Sequence, residues 1–211
     1  MAIGQTLTLI DYGAGNLHSV ENALRAAGAE VTVTADPDVV ARAERIVLPG
    51  VGSFGACASG LRAVPGLVEA MERRVRSEGA PFLGICVGMQ LLATTGLEHG
   101  ETAGLDWIAG EVRRIEAADD SVKVPHIGWN DVAPMPHPGA ADELIVDGEA
   151  YFLHSYAFHP VEGRDIAAMT DHGGGIVAAV ARDNMLGVQF HPEKSQRYGI
   201  GLLERFLEWR P

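Results

Sequence analysis

The stretch Gly84-Ile85-Cys86-Val87-Gly88-Met89-Gln90-Leu91-Leu92 decides the fold. The apolar run Pro81-Phe82-Leu83-Gly84-Ile85 reads as a buried strand, and Met89 to Ala93 supply good helix formers, so Cys86 falls at a strand-to-helix corner. A sharp corner strains the backbone at its apex and brings neighbouring elements close, which fits glycine at 84 and 88 on either side of the cysteine. A cysteine at a helix N-terminus also feels the positive end of the helix dipole, which favours thiolate over thiol. Together these features predict a nucleophile elbow. A small buried cysteine in a core strand is the competing reading, and the paired glycines weigh against it.

Upstream of the elbow, strands and helices alternate. Thr6 to Asp11 reads as a strand, and Tyr12-Gly13-Ala14-Gly15-Asn16 turns into a helix through about Ala27, with Asn16 as its N-cap and Gly28 as its end. Val31 to Thr34 and Arg45 to Leu48 are further strands, the latter running into Pro49-Gly50-Val51-Gly52. Gly55 to Ser77 reads as two helices or one broken at Pro65-Gly66. This alternation predicts βα units and a parallel sheet, whose sites lie at the carboxyl ends of the strands. From about Gly110 the pattern changes to short strands at Glu111 to Ile115, Lys123 to Val132, Glu143 to Val146 and Tyr151 to Phe158, an antiparallel addition. Ile166 to Thr170, Ile176 to Ala181 and Leu186 to Phe190 continue it, Pro134 to Pro138 reads as an exposed turn, and Gln196 to Trp209 closes the chain as a helix. The expected class is α/β, a mostly parallel central sheet flanked by helices with an additional antiparallel sheet, in a single domain spanning 1–211.

The second chemical signal is Gly187-Val188-Gln189-Phe190-His191-Pro192-Glu193-Lys194-Ser195. In an extended segment His191 and Glu193 point to the same side, and Pro192 stiffens the backbone between them. A histidine can take the thiol proton while a carboxylate on its other ring nitrogen fixes the tautomer and stabilises the imidazolium. A solvated His and Glu on a loop is the alternative for this segment taken alone.

Composition narrows the function class. The formal net charge is −12 over 211 residues, which argues against a nucleic-acid surface built from clustered Lys and Arg. No apolar stretch approaches the roughly 18 residues of a membrane span, and no export signal is visible, so the expected compartment is the cytoplasm. Two cysteines, Cys57 and Cys86, suggest neither a disulfide framework nor a metal-ligand spacing. No phosphate-binding loop motif occurs, so any phosphate chemistry is assigned to a partner, and no cofactor is expected.

The elbow and the Gly187 to Glu193 segment resemble those of class I, triad-type glutamine amidotransferases, a flavodoxin-like fold. Ile10-Asp11-Tyr12-Gly13-Ala14-Gly15-Asn16-Leu17, Leu48 to Gly52, Val124-Pro125-His126-Ile127-Gly128-Trp129-Asn130, Tyr151 to Tyr156 and Lys194-Ser195 narrow the resemblance to glutaminase subunits of imidazole glycerol phosphate synthases, over essentially the full length. The resemblance implies Cys86 as nucleophile, His191 as general base and acid, and Glu193 as its orienter. It implies an oxyanion hole from Val87 and the Val51–Gly52 segment, with a peptide flip near Val51 that glycine on both sides makes sterically cheap. It also implies that Gly52, Gln90, Ser155 and Tyr156 hold L-glutamine, with a role as sheet residues making local hydrogen bonds the lesser, competing reading for Ser155 or His154. The implied partner is the cyclase subunit, a (β/α)8 barrel that receives ammonia and forms imidazole glycerol phosphate and an aminoimidazole carboxamide ribotide in histidine biosynthesis. Asn16 and Lys194 are candidate interface residues, with a helix cap and a surface charge as the competing readings. His126, Trp129 and Asn130 are candidates for the mouth toward the partner, a packing role for Trp129 being equally consistent. Glutaminases of other synthases and a catalytically silent regulatory subunit are the alternatives; the intact Cys86, His191 and Glu193 argue against silence.

Overall fold

A computed structural model describes residues 5–116, 122–136 and 140–211. The parallel half is built from β1 (Gln5–Ile10), α1 (Leu17–Ala26), β2 (Ala29–Thr34), α2 (Pro37–Val40), β3 (Ile46–Gly50), α3 (Phe54–Ala63), α4 (Leu67–Glu72), β4 (Phe82–Cys86) and α5 (Val87–Gln90). Then follow β5 (Thr95–Gly96), β6 (Thr102–Ala103), β7 (Gly110–Arg114), β8 (His126–Pro134), β9 (Gly148–His154), β10 (Tyr156–Pro160), β11 (Ile166–Asp171), β12 (Gly175–Arg182), β13 (Met185–Val188) and α6 (Gln196–Glu208).

The large sheet runs β2-β1-β3-β4-β13-β12-β11-β8-β9. It is parallel from β2 to β13 and antiparallel from β13 to β9. Strands β3, β4 and β13 are buried throughout, as continuous apolar runs covered by helices on both faces must be. Their carboxyl ends therefore meet at one edge: Gly50 pairs with Cys86 and Val188 with Ile85, two residues before the turn into Phe190 and His191. Helix α6 buries Leu202, Leu203, Phe206 and Leu207, the face its sequence periodicity predicts. Arg45, itself buried, donates to the carbonyls of Phe206 and Trp209 and so satisfies acceptors at the C-terminal end of that helix.

The structure differs from expectation in several details. The second sheet, β10-β7-β5-β6, is mixed, with β5 parallel to β7, while most of the antiparallel strands extend the large sheet. Tyr151 to Phe158 is not one strand. The chain breaks at Ser155, leaving β9 on β8 in the large sheet and β10 on β7 in the small one. Glu143 to Val146 forms no strand; a 3-10 turn over Ala140–Glu143 precedes Leu144 and Ile145, which plug the core instead. The helix after Cys86 lasts one turn, because the backbone carbonyls of Leu91, Leu92 and Ala93 are taken by Leu105 to Ile108. Helix α3 does break at Val64 to Gly66, as Pro65-Gly66 requires. The predicted turn at Pro134 to Pro138 falls partly outside the described residues, Pro134 ending β8. No described helix is long and apolar enough to cross a membrane.

Candidate active site

Cys86 sits at the end of β4 with φ 55° and ψ −111°, a left-handed conformation that a side chain adopts only when its surroundings impose it. Those surroundings are glycines. A Cβ at Gly84 would lie 2.6 Å from the carbonyl oxygen of Gly88, and one at Gly50 would lie 2.7 Å from the Gly88 nitrogen. The corner thus closes only because β3, β4 and α5 touch backbone to backbone. Since α5 is a single turn, few peptide dipoles align behind the sulfur, and the dipole support expected for the thiolate is small. Side chains take its place: the Cys86 sulfur and the His191 imidazole interact closely enough for the sulfur to help raise the pKa of the ring, and the Gln189 amide nitrogen lies 3.7 Å from the sulfur.

His191 follows β13 and is held from below by β9. Its backbone N–H donates to the Tyr151 carbonyl at 2.9 Å, and its carbonyl accepts from the Ser195 hydroxyl at 2.6 Å. His191 Nδ1 lies 2.8 Å from Glu193 Oε1, both side chains being almost wholly buried. The second Glu193 oxygen, Oε2, is buried without a partner among the described residues, so the carboxylate's one protein contact is the imidazole. Burial alone would lower the pKa of His191, but hydrogen bonds to Cys86 and Glu193 and their charges outweigh it and push the value up to about 10.

A cleft of about 290 Å³ opens over Cys86. It gathers Asn16, Val51, Gly52, Cys86, Val87, Gln90, Ser155, Tyr156, His191, Glu193 and Lys194, whereas His126, Trp129 and Asn130, expected at its mouth, do not line it. The N–H of Val87 opens α5 and has no intrahelical acceptor, so it is free to meet an oxyanion. The Val51 carbonyl accepts from the Cys57 thiol at 3.4 Å, behind the loop; in a planar trans peptide the Gly52 N–H must then point away from Cys57. Tyr12 braces the same loop by donating to the Pro49 carbonyl at 2.8 Å. Gln90 spends both hydrogens of its amide on the Tyr156 carbonyl and Gln189 Oε1, which leaves its own oxygen as the acceptor for a ligand.

Asn16 occupies the N-cap position of α1 as expected, its carbonyl accepting from the Val20 N–H at 3.1 Å, but its side chain makes no capping bond. Lys194 lies over the Tyr151 ring, 5.7 Å from its centroid. Four residues near the site were assigned no role from the sequence: Gln189, Glu98, Tyr12 and Cys57. Glu98 also lines the cleft and accepts from the Phe54 N–H at 2.7 Å, at the start of α3. The alternation along Val188-Gln189-Phe190 is the one clue that Gln189 faces differently from its apolar neighbours.

The profile of the family described as glutamine amidotransferase class-I matches residues 8–208. The chain belongs to that family. An imidazole glycerol phosphate synthase subunit HisH from Zymomonas mobilis is 55% identical over 98% of this chain and 97% of its own length. The subunit of the same description from Caulobacter vibrioides is 53% identical over 98% of this chain and 100% of its own. Among solved structures, a glutamine amidotransferase superposes with a TM-score of 0.73 at 19% identity, covering 97% of this chain and 98% of that one. PurLQS from Thermotoga maritima gives 0.71 at 16% identity, over 98% of each chain, and these two share the fold of the amidotransferase described here.

Proposed function

We propose that this chain is the glutaminase subunit of an imidazole glycerol phosphate synthase, releasing ammonia from L-glutamine for a cyclase partner. The observation that carries the reading is the meeting of Cys86, His191 and Glu193 in one cleft at the carboxyl edge of the sheet. Full-length likeness to subunits of that description supports it. Residues 1–211 are taken as one glutamine amidotransferase domain.

The Cys86 thiolate attacks the side-chain amide carbon of glutamine, and the carbonyl oxygen becomes an oxyanion held by the N–H of Val87 and an N–H of the Val51–Gly52 segment. His191, charged by the proton of the thiol, passes that proton to the departing nitrogen, and the C–N bond breaks to leave a glutamyl thioester and ammonia. Glu193 holds the imidazolium through Nδ1, which keeps Nε2 as the proton-transferring atom. Water then attacks the thioester with His191 as base; glutamate leaves and the thiol is restored. Gly52, Gln90, Ser155 and Tyr156 position the glutamine.

Ammonia in water near neutral pH is mostly protonated and no nucleophile, so the acceptor must receive it along a dry path. The partner therefore docks over the cleft. The outer face of the β8–β9 hairpin supports this, since Ile127, Trp129 and Leu153 are 57%, 46% and 40% exposed. Register pairs Ile127 with Leu153 and Trp129 with Tyr151, and Leu153 and Lys194 also line the cleft, so the apolar patch reaches its rim. Asn16 and Lys194 complete that rim. We assign the partner as the (β/α)8 cyclase subunit, and the compartment as the cytoplasm, where a reactive thiol stays reduced.

Glutamine labelled with nitrogen-15 in its amide, supplied to this chain with the cyclase subunit and the phosphorylated ribulosyl-aminoimidazole precursor, tests the reading. Label in the imidazole ring of the product, undiluted by unlabelled ammonium in the buffer, is expected. Label that appears only as free ammonium would reject the channel and the partner.

A further inference from the structure

Gln189 lies between two core residues just past the end of β13, on the segment that leads to His191, and is 0% exposed. Burying a primary amide is unfavourable unless its donors and acceptor are used. Here they are, in one continuous chain. The Gln189 backbone is anchored by its N–H to the Ala178 carbonyl at 2.8 Å, so its side chain points to the elbow. Its Oε1 accepts from Gln90 Nε2 at 2.9 Å, and its Nε2 lies 3.7 Å from the Cys86 sulfur.

The direction of each bond in the chain is fixed. The Tyr156 carbonyl can only accept, and it does so from His154 Nδ1 at 2.9 Å and from Gln90 Nε2 at 3.0 Å. His154 Nε2 then accepts from His126 Nδ1 at 3.0 Å, and His126 Nε2 accepts from Asn130 Nδ2 at 3.0 Å. Burial holds both rings neutral, with pKa values pushed down to about 3 for His154 and about 4 for His126. The amide of Asn130 also donates to the Asp171 carbonyl at 2.7 Å, so it cannot turn over. With Gln90 obliged to donate, Gln189 must present oxygen to Gln90 and nitrogen to Cys86.

We infer that Gln189 belongs to the catalytic machinery as a fixed N–H donor to the Cys86 sulfur, its amide locked in that sense by Gln90, which the acceptor-only Tyr156 carbonyl obliges to donate. The inference rests on Cys86 being the nucleophile of the proposed glutaminase. The donor serves twice: it aims the sulfur and supports its charge before attack, and it does so again when the thioester breaks and the thiolate re-forms. The titratable groups around Cys86 are His191 with Glu193 behind it, Tyr12 and Cys57, which feel its charge, and Glu98, His154 and Lys194, which line the same cleft; Gln189 is the uncharged donor beside them.

Alkylation of Cys86 by iodoacetamide, followed on its own peptide by mass spectrometry across a pH series, tests the inference without needing glutamine. Gln189→Met removes the amide, and Gln189→Glu keeps the shape but replaces the donor by an acceptor. Both are expected to move the alkylation profile to higher pH and to slow the reaction about tenfold near neutrality, Glu more than Met. In the complex both are expected to lower kcat more than they change KM. In folded Cys86→Ser, the Gln189 side-chain amide proton that faces residue 86 should also shift in the NMR spectrum while its partner proton does not. Folded variants that alkylate like the parent, or slow equally at every pH with no shift, would overturn the inference. A parent chain that releases no glutamate would instead reject the glutaminase reading, leaving the alkylation result to stand by itself.

Discussion

Replacing Gly88 by Ala tests the backbone contact on which the elbow depends. A Cβ there would lie 1.9 Å from the Leu48 carbonyl oxygen, 2.9 Å from the Leu48 carbonyl carbon and 3.3 Å from that of Pro49. All three are main-chain atoms of β3, in the middle of the sheet, and none can swing aside as a side-chain tip would. Ordinary contact begins near 3.4 Å, so α5 and β3 must separate by about 1.5 Å. Overpacking of this kind costs about 1–3 kcal/mol, offset by up to about 1 kcal/mol from the better helix propensity of alanine. For a chain of 211 residues, at about 2–4 °C per kcal/mol, the melting temperature should fall by roughly 5 °C. Activity should fall further, since β3 carries the Val51–Gly52 segment and a 1 Å misplacement there can cost about a hundredfold. Gly163→Ala is the control: its backbone is not left-handed and nothing lies within 4 Å of the new atom. Calorimetry with glutaminase assays of both variants checks the reasoning. It is refuted if Gly88→Ala melts no lower than Gly163→Ala and keeps the parent rate.

Glu193→Gln removes the charge beside His191 and should lower kcat by about ten- to a hundredfold, the worth of a charge-assisted hydrogen bond. Because the folded pKa of His191 is raised above its ordinary 6.5 to about 10, the stability it contributes is full below 6.5 and is lost as pH rises toward 10. The stability gap between parent and Glu193→Gln should accordingly narrow across that window in urea melts. Cys57→Ala deletes the donor to the Val51 carbonyl and should lower glutaminase turnover about two- to tenfold, with Cys57→Ser recovering most of it, as kcat measurements on the complex would register. Trp129→Ala removes the largest exposed ring of the β8–β9 face and should weaken cyclase binding by about thirtyfold in a calorimetric titration.

The elbow was legible because its chemistry is local: glycine spacing and an apolar run dictate a corner at Cys86 whatever the rest of the chain does. His191-Pro192-Glu193 was legible in its residue types but not in its geometry: the segment is not extended, and Glu193 reaches His191 Nδ1 from a 3-10 turn over Pro192–Lys194 rather than by strand alternation. Sheet order was not, since the parallel-to-antiparallel change at β13 is made by pairing between segments far apart in sequence. The break at Ser155 was hidden too. Tyr151 to Phe158 keeps strand character throughout, and only the competition of β8 and β7 for its two ends divides it. Glu143 to Val146 misled because two apolar residues suit a core plug as well as a strand. Asn16 has the right type and place for a cap, yet its side chain makes no such bond. Gln189, Tyr12 and Cys57 act through contacts across 103, 37 and 6 positions of sequence, and residue type alone gives no notice of such partners.

The central claim is that Cys86 releases ammonia from glutamine when the site is completed by its partner. It is tested most directly by glutamate release from the purified chain, alone and with the cyclase subunit carrying its nucleotide ligand, against Cys86→Ala as the blank. Release that rises strongly in the liganded complex and disappears in Cys86→Ala is the predicted result. Release that persists in Cys86→Ala, or none from the parent under any condition, would contradict it.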